Sequence, residues 1–239
     1  MTRSSRNSTS GSSGRLRRRA ERLAARATPV VLVHGLWMNG RESLLLRSRL
    51  TAAGFRSLVF RYRSTEAQIS DVADQLAALL CTFGSGPVHL VGHSMGGLVI
   101  LETLERHDIL PDGRVVLLGS PVQGSRAARA IASWSLGPQL LGRLAAAELT
   151  RRQQCVWRWS RELGVIAGSR SVGMGRLFAE LPAPNDGTVA LEETQIPGAN
   201  HNVVFDVSHT GMLVSRQVAA AVIAFLHGGR FGSVTAGIG

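Results

Sequence analysis

One serine lies where a strand-like run of residues meets a helix-like run. The apolar run 88–91 is followed by Gly-His-Ser-Met-Gly at positions 92–96, and leucines at helical spacing come next. In a strand, turn and helix context this pattern forms a nucleophile elbow, which lifts a serine hydroxyl clear of the backbone. Gly92 and Gly96 leave room for such a sharp turn because they have no Cβ. The pattern therefore predicts that Ser94 is a nucleophile that forms a covalent intermediate.

A serine hydroxyl needs further groups before it reacts at neutral pH. A base must lie within hydrogen-bond reach of the serine, and an acid must orient that base. Around an elbow these groups follow the serine in the order acid, then histidine. Backbone N–H groups must bind the developing oxyanion, and the N–H of Met95 at the start of a helix is one candidate. Without such partners the motif would be a glycine-rich turn with an incidental serine.

Alternating strand and helix patterns surround the motif. Continuous apolar, β-branched runs such as Val30–Val33 are typical of strands that are buried on both faces of a parallel sheet. Helical periodicity separates these runs, so right-handed crossovers are expected to place helices on both faces. Besides the strand before the elbow, the predicted strands are 30–33, 57–62, 114–118, 165–167 and 194–196. The predicted helices are 41–53, 66–83, one from the elbow to about residue 107, and 212–226.

This alternation stops between residues 124 and 162. The segment is rich in Ala, Arg and Leu, is mostly helical in pattern, and contains Trp134, Trp157 and Trp159, three of the four tryptophans. We interpret it as a small helical cap inserted into a domain that spans residues 28–239. The three tryptophans are expected either to roof the pocket or to pack in the core.

The positive charge of the chain is concentrated at one end. Residues 1–27 contain eight arginines and one glutamate, so +7 of the formal net charge of +11 lies there. Their composition predicts a disordered, solvated tail. A weak contact of these arginines with anionic membranes is possible in principle. Nucleic acid is not an expected partner, because the net charge of +4 on the rest of the chain is ordinary.

Composition also bears on the cellular compartment and the cofactors of the protein. The mean hydropathy is +0.10, and no apolar run approaches the ~18 residues that a membrane span requires. The tail has no apolar core typical of a secretory signal. Cys81 and Cys155 have no metal-ligand spacing and are expected to stay reduced. These features predict a cytoplasmic protein without metal or organic cofactor, and they leave its oligomeric state open.

The order of the motifs resembles that of α/β-hydrolases of the lipase and esterase kind, over residues 29–227. The resemblance rests on Val-His-Gly at 33–35, Gly-His-Ser-Met-Gly-Gly at 92–97, Asn-Asp-Gly-Thr-Val at 185–189 and Ser-His-Thr-Gly at 208–211. It implies an α/β fold with a minimal, mostly parallel sheet of about six strands flanked by helices. The tail leaves no room for the two antiparallel edge strands with which that fold normally begins.

One segment departs from the pattern of bacterial lipases. The run Gly119–Ser125 is similar to their Thr-Pro-His-x-Gly-Ser segment. Val122 and Gln123 stand where those lipases have a histidine, so the resemblance extends to the superfamily rather than to the lipases in the strict sense.

The resemblance implies a role for each candidate residue. Ser94 corresponds to the nucleophile, Asp186 to the acid and His209 to the base. Asp186 also lies in Asn-Asp-Gly, a strong turn sequence, so a purely structural turn is its alternative interpretation. His201 is the rival base and Asp206 is the second choice of acid.

Four further residues complete the expected site. The N–H of Leu36 is expected to pair with that of Met95 in the oxyanion hole. Trp37 and Trp134 are expected to line the substrate pocket.

The resemblance implies a serine hydrolase that cleaves uncharged carboxylic esters through an acyl-enzyme. An acyltransferase or a thioesterase would share that acyl-enzyme and differ only in the acceptor or leaving group. A binding protein that has kept the fold without catalysis is a third hypothesis, against which the intact set of serine, acid and histidine argues. Haloalkane dehalogenases are disfavoured because their elbow carries aspartate where this chain has Ser94.

Overall fold

The strands form one parallel sheet. A computed structural model describes residues 27–150, 155–173 and 180–232, so nearly all of the predicted basic tail lies outside the described residues. The sheet has six strands in the order β2-β1-β3-β4-β5-β6, all parallel. Their bounds are Pro29–Val33 (β1), Arg56–Phe60 (β2), His89–His93 (β3), Val115–Leu118 (β4), Leu163–Gly168 (β5) and His201–Phe205 (β6). The predicted six-stranded sheet flanked by helices is confirmed.

Helices connect the strands on both faces of the sheet. Their bounds are Leu44–Ala52 (α1, after a 3-10 turn at Arg41–Ser43), Ile69–Cys81 (α2), Met95–Arg106 (α3), Arg126–Ala132 (α4), Gly137–Glu148 (α5), Gly211–Val214 (α6) and Arg216–Gly228 (α7). Helix α5 is interrupted at Gly142, whose backbone is not helical. Among the described residues, no helix is both long and apolar enough to cross a membrane.

The strands divide their side chains between two apolar cores. In β1, Val31 and Val33 belong to one core and Val30 and Leu32 to the other, because successive side chains of a strand point to opposite faces. The first core includes residues of α2 and α3, and the second includes residues of α1, α6 and α7. Burial on both faces explains why the central strands are continuous apolar runs.

The strand order reverses between β1 and β3, and this places two loops side by side. Val33 pairs with Gly92 in the parallel register, so the residues that follow β1 lie next to those that follow β3. In open α/β sheets, ligands bind at the carboxyl edge of the strands where the order reverses. The elbow serine and the loop at 34–37 therefore share the edge at which a site is expected.

The last strand was predicted at the wrong place. Residues Leu191–Thr194 form a 3-10 helix, and the last strand is His201–Phe205 instead of 194–196. This strand lies at the sheet edge and pairs only with β5, so its residues alternate between half-buried and exposed until Phe205. A histidine and an asparagine are tolerated there, and they obscure the apolar pattern of a strand.

Two predicted helical regions also differ in detail. The last helix, predicted over 212–226, is two helices, because Ser215 is extended and its hydroxyl accepts the N–H of Val218 to begin α7. Between residues 124 and 162, the helices end at Glu148, and the described residues 155–162 form no helix.

Stability should depend on the neutral state of His89, which is buried at the start of β3. Its Nδ1 accepts the backbone N–H of Arg114 at 2.8 Å. Burial, together with the charges of Arg114 and Arg161, lowers the pKa of His89 to about 4. An unfolded histidine takes up a proton below about pH 6.5, whereas the folded one does not until about pH 4, so its contribution to stability falls over that range as the pH falls.

We expect the variant His89→Asn to lose this pH dependence, since the amide oxygen accepts the same N–H but does not titrate. The free energy of unfolding in urea, measured at several pH values, should fall more steeply for the wild type between pH 6.5 and 4. A difference between the two proteins that stays constant from pH 7 to pH 4 would contradict the prediction.

Candidate active site

Ser94 lies at the apex of a turn between β3 and α3. Its backbone has φ of 55° and ψ of −126°, a conformation that few residues other than glycine adopt. Its N–H donates to the carbonyl of Leu118 at 2.9 Å, which ties the apex to the end of β4. His93 and Met95 on either side are buried, while Ser94 is half-buried. The turn therefore exposes the serine and hides its neighbours, as the elbow pattern predicts.

The elbow glycines are required by close packing of the backbone. A Cβ on Gly96 would lie 2.1 Å from the carbonyl oxygen of Val33, and one on Gly92 would lie 2.7 Å from the Cα of Gly97. Neither glycine has a positive φ. Their function is to let the first turn of α3 approach the ends of β1 and β3.

The structure brings His209 and Asp186 together. His209 Nδ1 lies 2.7 Å from Asp186 Oδ2, and the N–H of His209 donates to the backbone carbonyl of Asp186 at 2.9 Å. The other carboxylate oxygen, Oδ1, accepts the N–H groups of Thr188 and Val189. Asp186 is only 1% exposed. One carboxylate oxygen thus closes the turn and the other binds the histidine.

The rival residues lie elsewhere. Asp206 forms a surface ion pair with Arg170, which lowers the pKa of the Asp206 carboxyl through hydrogen bonding. His201 begins β6, whereas His209 follows the other end of that strand. Because five residues of strand span roughly 13–16 Å, His201 lies at the edge of the sheet opposite Ser94.

Two other histidines near the serine have structural contacts. The ring of His34 stacks on Tyr62, and its Nδ1 bonds with the carbonyl of Gly35 at 2.9 Å. Burial lowers the pKa of His34. His93 is buried directly before Ser94, and its Nε2 bonds with the carbonyl of His209 at 3.0 Å.

The loop after β1 runs directly beside the serine. A Cβ on Gly35 would lie 3.0 Å from the Cβ of Ser94. Trp37 has a positive φ of 57°, and its backbone N–H donates to the hydroxyl of Ser64 at 3.2 Å. Its indole N–H donates to the carbonyl of Leu140 in α5. The loop is therefore fixed on one side by a buried serine and on the other by a helix of the 124–162 segment.

Ser94 and His209 line one cavity of about 250 Å³. None of its described lining residues carries a carboxylate, an ammonium or a guanidinium group. The large apolar side chains in the lining include Leu36, Trp37, Ile131, Leu141 and Leu149. Such a cavity suits an uncharged, apolar ligand.

The tryptophans of the 124–162 segment do not roof this cavity. Trp134 is not among its described lining residues, and its side chain is 47% exposed. Trp157 and Trp159 contact each other at the side of α3, where the indole N–H of Trp159 donates to the carbonyl of Leu104. Among the described residues, the segment contributes smaller side chains from α4 and α5 to the lining, and Trp37 lines the cavity as well.

Sequence reasoning missed one buried carboxylate next to the site. Glu193 accepts the N–H of Arg126, which begins α4, at 2.6 Å and that of Ala190 at 2.9 Å. Burial raises the pKa of Glu193. The residue at the start of this turn is Ala190, which has no capping side chain, so the usual capping signal is incomplete in the sequence.

No group of three or more His, Cys, Asp or Glu side chains among the described residues is arranged to hold a metal ion. The chemistry that the arrangement supports is that of a hydroxyl, an imidazole and a carboxylate around an apolar cavity.

Comparisons with known proteins agree on the architecture. A model of the alpha/beta hydrolase family matches residues 30–221. No protein with a curated description matches the sequence. The mature lipase BlEst2 of Bacillus licheniformis superposes with a TM-score of 0.66 at 20% identity, over 84% of this chain and 91% of that one.

Two further solved structures show the same fold. The esterase RhEst1 of Rhodococcus sp. ECU1013 has a TM-score of 0.58 at 19% identity, over 85% of this chain and 92% of that one. The thioesterase RedJ of the prodiginine biosynthetic pathway in Streptomyces coelicolor has a TM-score of 0.57 at 13% identity, over 85% and 86% respectively. At identities this low the likeness establishes the fold alone.

The close contact at the elbow predicts that Gly96→Ala is strongly destabilising. The new methyl group would meet the backbone of Val33, which cannot move without displacing β1. We expect a loss of about 1–3 kcal/mol in the free energy of unfolding, measured in urea. Gly86→Ala is the matched control, because a Cβ there meets nothing within 4 Å. Equal stability of the two variants would contradict this account of the elbow.

Proposed function

The chain belongs to the alpha/beta hydrolase family, and we propose that it hydrolyses carboxylic esters through an acyl-enzyme formed on Ser94. The observation that carries the proposal is that His209, hydrogen-bonded to the buried carboxylate of Asp186, lines the same apolar cavity as Ser94. A hydroxyl, a carboxylate and an imidazole in this order along the chain are the groups that acyl transfer requires.

The hydrogen bond between the acid and the base determines the direction of proton transfer. Asp186 accepts a hydrogen bond from the Nδ1–H of His209, so the proton stays on Nδ1 and Nε2 keeps its lone pair. Nε2 takes the proton of Ser94 as the serine oxygen attacks the ester carbonyl carbon. The imidazolium then protonates the leaving alcohol as the ester C–O bond breaks. A water molecule, deprotonated by the same nitrogen, attacks the acyl-enzyme and releases the carboxylic acid and Ser94.

Two backbone N–H groups would stabilise the oxyanion of each tetrahedral intermediate. The N–H of Met95 is at the positive end of α3, and that of Leu36 follows Gly35, which packs against Ser94. The pairing of Val33 with Gly92 supports this assignment, because it places both loops at one point of the sheet edge. Removal of one such donor costs about 10²–10³ in rate in related sites.

The cavity supports a small, uncharged acyl ester as substrate. Its volume of about 250 Å³ is below the range of roughly 300–1,000 Å³ typical of sites for drug-sized ligands. Its described lining residues carry no carboxylate, ammonium or guanidinium group to neutralise a charged acyl chain. We therefore expect esters of short acyl chains to react faster than those of long ones.

A thioesterase is the second candidate, favoured by the fold shared with the thioesterase RedJ. The acyl-enzyme would be the same, and only the leaving group would be a thiol. Oxygen esters and thioesters of one acyl group, compared by kcat/KM, distinguish the two functions.

We also propose a cytoplasmic setting. Cys81 and Cys155 are free thiols in the structure, and burial raises the pKa of Cys155, which makes it less reactive. Free thiols of this kind are typical of a reducing compartment. A weak contact of the N-terminal arginines with anionic membranes is a further proposal.

The proposal predicts which histidine is essential. We expect His209→Ala to lower kcat by roughly 10⁴-fold or more, since the general base is lost. His201→Ala should stay within about threefold of the wild type, because it removes only ring contacts with Phe225 and Phe231 at the far edge of the sheet. Hydrolysis of p-nitrophenyl esters measures both, after circular dichroism has confirmed folding. A dead His201→Ala alongside an active His209→Ala would refute the assignment of the base.

Labelling provides a direct test of the nucleophile. A serine-directed phosphonate should form an adduct on Ser94, located by peptide mass spectrometry. The adduct should be absent from Ser94→Ala and form far more slowly in His209→Ala, since the hydroxyl is then not activated. An adduct on another serine of the wild type, or none at all, would overturn the proposed function.

A further inference from the structure

We propose that His93, the residue before the nucleophile, is a positioning residue that holds the base His209 through a hydrogen bond from its ring to the backbone of that base. The inference rests on the proposed function, because it assigns a partner to the base of that reaction. It gives a role to a histidine for which the elbow itself requires no particular side chain.

The contact between the two histidines is direct. His93 Nε2 lies 3.0 Å from the carbonyl oxygen of His209, and the ring centroids are 4.7 Å apart at an interplanar angle of 47°. Asp186 holds the backbone N–H and Nδ1 of the same histidine. His209 is thus fixed at its N–H, its carbonyl and its ring, and the hydrogen bond to its carbonyl connects it to the elbow.

The chemistry of the contact fixes the tautomer of His93. A carbonyl oxygen has no proton to give, so Nε2 of His93 must carry the hydrogen and donate it. Nδ1 is then an acceptor, and it has no hydrogen-bond partner among the described groups. The ring therefore acts through one atom, its Nε2–H.

His93 remains neutral while it does so. Burial, and next the charge of His209, lower the pKa of His93 to about 3. A neutral ring does not repel the imidazolium that forms on His209 during each turnover. A protonated histidine at this distance would oppose that charge.

The fold explains why the base needs this support. His209 follows β6, an edge strand with one neighbour, and precedes α6, a helix of only four residues. His93 ends β3, whose five residues are all buried between β1 and β4. The hydrogen bond therefore attaches a loop at the sheet edge to a strand that is buried at all five residues, one residue from the serine. A displacement of about 1 Å between reacting groups costs about 10²-fold in rate.

Three substitutions of His93 distinguish the effect of losing the hydrogen bond from the effect of changing the shape of the side chain. The amide nitrogen of His93→Gln reaches the position of Nε2 and can donate to His209. That of His93→Asn is one methylene short and reaches only the position of Nδ1, and His93→Leu has no donor. We expect Asn and Leu to lower kcat about 10- to 100-fold with KM changed less than about threefold, and Gln to recover most of that loss.

Two measurements identify a positioning role as distinct from a general loss of structure. The rate of phosphonate labelling of Ser94 should fall in parallel with kcat in the Asn and Leu variants. Amide hydrogen exchange over residues 206–212 should rise in both variants and stay at the wild-type level in His93→Gln. His89→Asn is the matched control, because it changes the buried histidine at the other end of β3 and should alter stability without altering kcat.

The outcomes are distinguishable from failure of the proposed function. Full kcat in His93→Leu and His93→Asn, or equal losses in all three variants, would overturn the role of His93. So would unchanged exchange over residues 206–212 in the Leu variant. Absence of both ester hydrolysis and a Ser94 adduct in the wild type would refute the proposed function, whereas the exchange measurement would still decide whether His93 holds the loop.

Discussion

The approach of the first turn of α3 to the end of β1 is the constraint on which the rest of the site depends. Gly96 lies so close to the carbonyl of Val33 that no side chain fits between them. This contact brings the chain from β3 into α3 within a single residue, and Ser94 takes the strained positive φ as a result. It also brings the start of α3, with the N–H of Met95, next to the loop after β1 that contains Leu36. In the proposed mechanism these two N–H groups bind the oxyanion, so the strained turn would serve the chemistry as well as the fold.

Asp186 illustrates how one side chain can serve both folding and chemistry. A buried carboxylate is costly unless its oxygens are hydrogen-bonded. Oδ1 receives two backbone N–H groups of the turn that follows, and Oδ2 receives His209. Loss of the carboxylate would therefore loosen the turn as well as the base. The turn residues Thr188 and Val189 also line the cavity, so the same bonds shape the wall of the pocket.

Local sequence patterns made the elbow and the central strands predictable. The edge strand and the surroundings of single side chains depend on contacts between residues far apart in the chain, and local patterns do not reveal these. Ser94 was identified because a strand, a glycine pair and a helix occur within a dozen residues. The strand β6 was missed because an edge strand needs apolar residues on one side only, and His201 and Asn202 lie in it. The resemblance favoured Asp186 over Asp206; in the structure His209 binds Asp186, and Asp206 pairs with Arg170, which lies 36 residues before it in the chain. Trp134 lies in the turn between α4 and α5 and is 47% exposed, and the helical spacing of the segment gave no sign of that turn.

The helices above the cavity are attached to the same loops that carry the reacting groups. Trp37, in the loop after β1, binds the carbonyl of Leu140 in α5, and Glu193, after the acid, binds the first N–H of α4. At Gly142 the backbone of α5 approaches Thr65 so closely that a Cβ would lie 2.2 Å from its carbonyl oxygen. The cavity walls therefore cannot shift independently of Leu36 or Asp186. In such an arrangement the size of the pocket and the alignment of the proposed catalytic groups are coupled, because both are set by the same few hydrogen bonds.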